Sequence, residues 1–287
     1  MIATDLDGTL LGDARVIDER DWAALAELGR SGVVRVIATG RSLWSAQRVI
    51  PNDLPIDYLV FSSGVGTVSW PDMKLLASHA MSEEATRTVA LQLVELRLDF
   101  MAQGQAPDSH RFAYWRSGAL NNPDFEHRLE LYDSFATPMD KAQVPTTSHF
   151  VIVHPADEPD EEFARIRDAL LGLDVPLHVV RTTSPLDKKS LWIEVFPGGV
   201  SKANGCAAIA QAHAVPLADT LAVGNDYNDC DMLDWAGMSY VVSNAPTPLK
   251  QRYSVTASNK DAGVSVCIAR WQSGREPHTS KLTSSGE

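Results

Sequence analysis

The sequence predicts an α/β protein: a parallel sheet covered by helices on both faces, interrupted by an inserted α+β unit. Three observations predict it. Over residues 1–65 apolar runs alternate with helical periodicities, and the runs are apolar nearly throughout, as in strands buried on both faces. The same alternation returns from residue 191. Between them lies a stretch of different pattern, with helices and isolated strands. The expected division is a core of residues 1–78 and 191–271, an inserted unit of residues 79–190 and a disordered tail of residues 272–287.

In order, residues 2–4 are a short apolar run ending at Asp5 and read as a strand. Asp18 caps a helix whose Trp22, Leu25 and Leu28 recur at helical spacing, and Gly29 and Gly32 suit its end. "VVRVIATG" (33–40) is a second strand, "RSLWSAQRVI" a helix stopped by Pro51, and "DYLVFSSG" (57–64) a third strand. "GTVSW" and "KLLAS", split by "PDM", read as a hairpin. Ser82, Glu83 and Glu84 start a helix with Val89, Leu93 and Leu96 on one stripe. Residues 100–146 are broken by Pro and Asn and carry weaker signals. "SHFVIVH" (148–154) is a strand, "DEPDEEFARIRDALLGL" a helix with Phe163, Ile166 and Leu170 on one face, and "PLHVVRT" another strand. In the returning core, "LWIEVFP" (191–197) is a strand, "KANGCAAIAQAHAV" an alanine-rich helix and "DTLAVGND" (219–226) a strand ending in polar residues. "NDCDMLDWA" is a short helix, "SYVVSNA" and "YSVTAS" are two strands, and "DAGVSVCIARW" is a final helix. With four residues ahead of Asp5 the first strand is short, and whether the native chain begins upstream stays open.

Composition excludes several classes. At 287 residues with 44% hydrophobic and 22% charged side chains the chain builds real cores, which rules out a disordered or fibrous protein outside the tail. A net charge of -12 argues against non-specific nucleic-acid binding, which needs a basic surface. A small anionic substrate stays compatible, because a local cluster of Lys, Arg and a metal outweighs global charge. No apolar run approaches the ~20 residues of a membrane span, and no basic-then-apolar leader opens the chain, so neither a membrane partner nor export is expected. Cys206, Cys230 and Cys267 form no CxxC pair and read as small buried hydrophobes in a reducing, cytoplasmic setting. His110, His127, His149 and His154, with Trp115 and Arg116, fall in the inserted unit and read as structural or surface residues. The oligomeric state is not readable.

Open parallel sheets bind ligands at the carboxyl ends of their strands. Four loops lie there. "TDLDGTL" (4–10) places Asp5 and Asp7 two apart, so their side chains share one side of an extended chain, and Gly8 and Thr9 permit a sharp turn. Paired carboxylates repel unless a cation or a proton resolves the conflict, and Mg2+ binds carboxylate oxygen. "ATGRS" sets Thr39 and Gly40 at the second strand end, where a hydroxyl and free N–H groups suit a phosphate oxygen. "VSKANG" sets Lys202 at a helix entry, able to neutralise phosphate and a carboxylate together. "GNDYNDCDML" crowds Asn225, Asp226, Asn228 and Asp229 after Gly224, a density of oxygen that suits a hard cation. Each signal alone is equally a turn, a helix cap or a surface charge. Together they mark one site.

In order and spacing these residues resemble the four motifs of the haloacid dehalogenase-like (HAD) hydrolase superfamily: "DLDGTL", "ATGRS", "SKANG" and "GNDYND". The resemblance covers residues 1–272. An insertion between the second and third motifs is similar to the Cof-like branch, subfamily IIB, which includes sucrose-phosphate and mannosyl-3-phosphoglycerate phosphatases and eukaryotic-type phosphomannomutases. It implies a Rossmann-like core with a cap domain. It implies a Mg2+-dependent phosphomonoester hydrolase acting on a small phosphorylated metabolite, with a sugar or glycosyl phosphate as the expected class. By it, Asp5 is the nucleophile that forms an aspartyl-phosphate, and Asp7 protonates the leaving oxygen and then activates water. Thr39, Gly40, Lys202 and Asn228 hold the phosphoryl group, with Ser63 and Arg41 as further candidates. The implied metal set is Asp5, the Asp7 carbonyl, Asn225 and Asp229, the last as a direct ligand or a supporting group, with Asp226 as a further candidate for either role.

Two departures qualify the resemblance. Relatives often read Gly-Asp-x-x-Asn-Asp in the fourth motif, and the first aspartate, their direct metal ligand, is Asn225 here. Either Asn225 binds through its amide oxygen, or Asp226 or Asp229 takes over. The strand after the second motif often ends Asn-Gly-Ala and here reads "SSGVG", so Ser62 and Ser63 replace a side-chain amide. Two other readings stay open: a phosphomutase or phosphotransferase on the same chemistry, and a catalytically weak regulatory module, which Asn225 alone supports.

Overall fold

The computed structural model describes residues 1–12, 14–139, 144–155, 158–184, 186–187 and 189–274. The chain opens with β1 (Ile2–Thr4), α1 (Glu19–Arg30), β2 (Arg35–Ala38), α2 (Leu43–Ala46), β3 (Tyr58–Phe61) and the hairpin β4 (Gly66–Ser69) and β5 (Leu75–Ser78). An inserted unit follows: α3 (Glu83–Glu95), β6 (Phe100–Gln103), β7 (Phe112–Trp115), α4 (Pro123–Leu131), β8 (Ala136–Pro138), β9 (His149–His154), α5 (Pro159–Leu171), β10 (Leu177–Thr183) and β11 (Leu191–Pro197). The core resumes with α6 (Lys202–Ala212), β12 (Leu221–Gly224), α7 (Cys230–Trp235), β13 (Met238–Val241), α8 (Thr247–Arg252), β14 (Ser254–Val255) and α9 (Gly263–Ser273).

The core sheet has eight strands in the order β14-β13-β12-β1-β2-β3-β4-β5. The six from β14 to β3 are parallel, and β4 and β5 extend the edge as an antiparallel hairpin. Strand alternation explains its two-sided burial. Ile2, Ile37, Leu59 and Leu221 face Leu25 and Leu28 of α1 and Val264 and Ile268 of α9. Ala3, Val36, Val60 and Ala222 face the other way, onto Cys206 and Ile209 of α6 and Met232 and Leu233 of α7. No helix among the described residues is long and apolar enough to cross a membrane.

One buried acid sits in the α1–α9 seam. Asp21 accepts the Ser265 N–H at 2.6 Å through Oδ1, while its buried Oδ2 has no partner among the described residues. Burial pushes this carboxyl up to about 6. A raised carboxyl stabilises the fold below its unfolded pKa, and that contribution is lost as pH rises through about 6. Asp21→Asn keeps the acceptor and removes the charge. It is expected to stabilise the fold by about 2 kcal/mol at pH 8 and to leave it unchanged near pH 4. Denaturant melts at the two pH values check this, and an equal effect at both would contradict it.

The inserted unit is a six-stranded sheet, β10-β11-β9-β6-β7-β8, antiparallel except for β7 with β8. Val89 and Leu93 of α3 and Ile166 and Leu170 of α5 cover one face, and Phe125 and Leu129 of α4 pack on the other. Here the expected boundary at 190/191 is corrected. β11 pairs with β9 and β10, not with the core, so the second sheet runs to Pro197. A strand apolar but for one residue is what a parallel core strand looks like, and β11, apolar except for Glu194, shows the same pattern because it lies between helices on one side and the core on the other. α8 between β13 and β14 was not expected. α9 continues to Ser273, past the expected end of the core, and most of the expected disordered tail lies outside the described residues.

The inserted unit sits on the core as a cap. Ser62 and Ser109 hydroxyls meet at 2.8 Å, and Trp44 of α2 stacks on His110 with centroids 5.3 Å apart. His178 of β10 pairs with Asp231 of α7 at 2.9 Å.

Candidate active site

Asp5 follows β1 directly and donates its backbone N–H to the Val223 carbonyl of β12, so the two central strands deliver it to their carboxyl ends. Lys202 is the first residue of α6, whose Ser201 cap accepts the Asn204 N–H. Its ammonium donates to Asp5 Oδ1 and Asp229 Oδ1, both at 2.7 Å, with all three residues buried. Burial alone would depress a lysine, but the Asp229 and Asp5 carboxylates outweigh it and hold Lys202 well above its ordinary value. Burial, and then the Asp229 charge, push the Asp5 carboxyl up to about 7 against the pull of Lys202. One buried cation shared by two buried acids leaves a net negative charge, which a further cation beside Asp5 would offset.

Asp229 serves this centre from behind. Its Oδ2 accepts the Asn225 N–H at 2.8 Å and the Asp226 N–H at 3.0 Å while Oδ1 holds Lys202. Both oxygens are thus bonded to donors of this chain, which matches the supporting role of the two that the sequence left open for it, positioning the loop and the lysine. The Asp226 carboxylate bonds to Thr182, Thr183 and Tyr227.

Asn225 faces Asp5 and the Asp7 carbonyl across the site. One terminal atom of its amide is 3.1 Å from each of Asp5 Oδ2, the Asp7 carbonyl oxygen and Thr9 Oγ1. As nitrogen, it donates to all three. As oxygen, it accepts from Thr9 and forms with Asp5 Oδ2 and the Asp7 carbonyl a cluster of three oxygens that a cation would hold together. Among the described residues no three His, Cys, Asp or Glu side chains gather for a metal. One carboxylate, one main-chain carbonyl and one amide nevertheless fit Mg2+, a hard ion that keeps several waters.

The Asp7 side chain is half exposed and turns to Arg41, which grips it with two bonds of 2.7 Å and also donates to Ser45 Oγ. The sharp turn after Asp7 is set by Gly8, at φ +78°, where a Cβ would strike the Asn225 amide at 2.6 Å. Thr39 is buried, and its Oγ1 accepts the Arg41 N–H at 3.1 Å. A Cβ on Gly40 would stand 3.5 Å from Asn228 Nδ2 and 3.6 Å from Ser63 Oγ, so these three predicted residues border one small space. Ser62, Ser63 and Gly64 all take positive φ, and a Cβ on Gly64 would strike the Ser201 carbonyl at 2.3 Å. The strained turn therefore presses against the start of α6 and aims Ser63 at the cap.

Glu194 of β11 receives the Ser63 hydroxyl at 3.2 Å and was missed by sequence reasoning. Burial raises its carboxyl. Its signal was a lone acid in an apolar strand, legible only once β11 is placed in the cap. Trp44 and Ser109 were also missed, since each shows its part only in the contact between core and cap. Of the discounted residues, His149 is buried, stacks on Phe196 and is held to about 3 by burial, so it stays neutral. Arg116 pairs with Glu126.

A model of the haloacid dehalogenase-like hydrolase family matches residues 2–268. The chain belongs to this family. The cap between its second and third motifs places this HAD enzyme in subclass IIB. Several of its curated relatives are named phosphatases. The 5-amino-6-(5-phospho-D-ribitylamino)uracil phosphatase YwtE of Bacillus subtilis is 24% identical over 96% of this chain and 98% of its own. The HMP-PP phosphatase of Cronobacter sakazakii is 26% identical over 85% and 84%. Among solved structures, the HAD phosphatase BT1666 of Bacteroides thetaiotaomicron superposes with a TM-score of 0.74 at 20% identity, covering 94% of each chain. The subclass IIB sugar phosphatase BT4131 superposes at 0.71 and 18%, covering 94% and 98%.

Proposed function

We propose that this HAD enzyme is a Mg2+-dependent phosphomonoester hydrolase that passes a phosphoryl group from a small metabolite through Asp5 to water. The buried Asp5–Lys202–Asp229 arrangement at the ends of β1 and β12 carries this reading. A carboxylate nucleophile splits one hard displacement into two easier ones. Lys202 keeps Asp5 ionised and oriented. Asp5, the Asp7 carbonyl and Asn225 would hold Mg2+, which would supply charge neutralisation for the approaching phosphate. Thr39, the Gly40 N–H, Asn228 and Ser63 line the space for phosphoryl oxygens, where donors act on charge in the transition state. Asp7 gives a proton to the leaving oxygen and takes one from the attacking water. To do so it leaves Arg41, whose guanidinium is then available to the phosphate.

A sugar or glycosyl phosphate is the proposed class. Glu194, Phe196, His149 and Gln103 share the core-facing side of the cap sheet by register. Gln103 Nε2 and Arg128 Nε are buried without a hydrogen-bond partner among the described residues, and unpaired donors at the cap face that also carries the Glu194 acceptor suit a leaving group rich in hydroxyls. The relatives act on phosphorylated small molecules, which supports the same reading. We place the enzyme in the cytoplasm.

Purified enzyme assayed for phosphate release from a panel of phosphorylated sugars, with and without Mg2+, tests the proposal. Metal-dependent release supports it. Transfer between sugars without net release would favour a mutase, and no turnover at all would leave the regulatory reading.

Asn225 gives a sharper check. Asn225→Asp adds a carboxylate to the oxygen cluster and is expected to tighten Mg2+ binding about tenfold, as ligand charge tunes affinity for hard cations. Calorimetric titration of metal-free enzyme reads this. Unchanged affinity would show that Asn225 does not face the metal.

A further inference from the structure

The fourth-motif loop carries an acid that the chemistry does not use. Asp226 reaches across the cleft to the end of β10. Its Oδ2 accepts the Thr183 N–H at 2.9 Å and the Thr182 hydroxyl at 3.4 Å, and its Oδ1 accepts the Thr183 hydroxyl at 3.1 Å and the Tyr227 N–H at 2.8 Å. β10 is an edge of the cap sheet, so the outward Thr183 N–H has no strand to receive it, and a carboxylate of the core takes that place. Two further contacts join the same strand to the same segment. His178 pairs with Asp231 at 2.9 Å, and the Arg181 guanidinium lies 4.9 Å from the Tyr227 ring centre.

The loop that receives β10 is also the loop that sets the nucleophile. The Asn225 and Asp226 N–H groups are fixed by Asp229 Oδ2, Asp229 Oδ1 holds Lys202, and Lys202 holds Asp5. A continuous chain of hydrogen bonds thus runs from the cap edge to the nucleophile.

We propose that Asp226 is a positioning residue that latches the cap's edge strand to the loop behind Lys202, so that seating the cap and ordering the Asp229–Lys202–Asp5 array are one event. Beyond phosphatase chemistry, this gives the acid beside Asn225 a role other than metal binding. The cap reads the leaving group, so a latch that ends on this loop reports cap closure to the catalytic lysine.

Two variants and two measurements test it. Thr182→Val/Thr183→Val alters only the cap and leaves Asp226 capping Tyr227. Asp226→Asn keeps the size of the side chain and removes its charge. Amide hydrogen exchange is followed on both, and Mg2+ is titrated into metal-free enzyme. In the double valine variant, exchange is expected to quicken about tenfold both at the end of β10 and, across the cleft, at the amides of 225–229, as loss of charge-assisted hydrogen bonds predicts. Asp226→Asn is expected to do the same while holding Mg2+ affinity within about twofold. Faster exchange confined to β10 would overturn the coupling. A tenfold or larger loss of Mg2+ affinity in Asp226→Asn would overturn the latch in favour of a ligand. Neither readout needs a substrate, so the inference stands or falls separately from the phosphatase reading.

Discussion

Replacing Asp5 by Asn is expected to lower phosphate release at least about 10⁴-fold, because the variant has no anionic nucleophile to form a covalent intermediate. The fold is expected to survive and to gain stability. The wild-type carboxyl is held up to about 7 by burial and by Asp229, so its ionised form is a cost to the fold. A raised carboxyl contributes stability below its unfolded pKa and loses that contribution as pH rises through about 7. The gain of Asp5→Asn is therefore expected at pH 8 and absent near pH 4. Thermal melts beside phosphate assays read both effects. A variant that is inactive because it is unfolded would not support the account, and one that keeps wild-type turnover would remove Asp5 from the chemistry. The opposition of stability and activity at one residue is what a strained catalytic centre predicts.

Lys202→Met is expected to act in the opposite direction on stability. Its side chain is 1% exposed and bridges two buried carboxylates, so removal leaves those acids facing each other without a cation. Breaking a buried pair this way costs about 3 kcal/mol or more, and loss of the ammonium at the phosphoryl group is expected to cut turnover about 10³-fold. The stability deficit is largest at high pH, where the Asp5 carboxyl must ionise, and shrinks as pH falls and Asp5 takes up a proton. Lys202→Met/Asp229→Asn removes one of the two charges and is expected to recover most of the stability and none of the activity. Chemical denaturation at pH 5 and pH 8, with turnover measured alongside, checks the pair. A deficit independent of pH would mean that packing, not charge, is what Lys202 supplies.

Much of this site was legible because the strand-end rule points to loops. Residues 5–9, 39–41, 62–64, 202 and 225–229 follow apolar runs or open a helix, and local pattern marks them without any long-range knowledge. What was not legible depended on partners far apart in the chain. β11 has the composition of a core strand, and only its pairing with β9 and β10 reveals that it belongs to the cap. That one misplacement hid Glu194, whose Ser63 partner is 131 residues away. Asp226 and Asp229 are alike in the sequence, both acids in a polar loop. Their difference is one of direction: Asp229 turns inward to Lys202, and Asp226 turns outward to a strand 43 residues earlier. The Arg41 grip on Asp7, across 34 residues, was likewise invisible in a motif that also reads as a simple helix cap. α8 escaped because its six residues are too few to show a period.

The central claim is that Asp5 carries the phosphoryl group. Acid-quenched enzyme taken during turnover with Mg2+ and the best substrate of the panel, digested and analysed by mass spectrometry, tests this most directly. The account predicts one added phosphoryl group on the peptide bearing Asp5, discharged by hydroxylamine and absent from Asp5→Asn. Phosphate release with no modified Asp5 peptide at any quench time, or with the phosphoryl group on another residue, would contradict it.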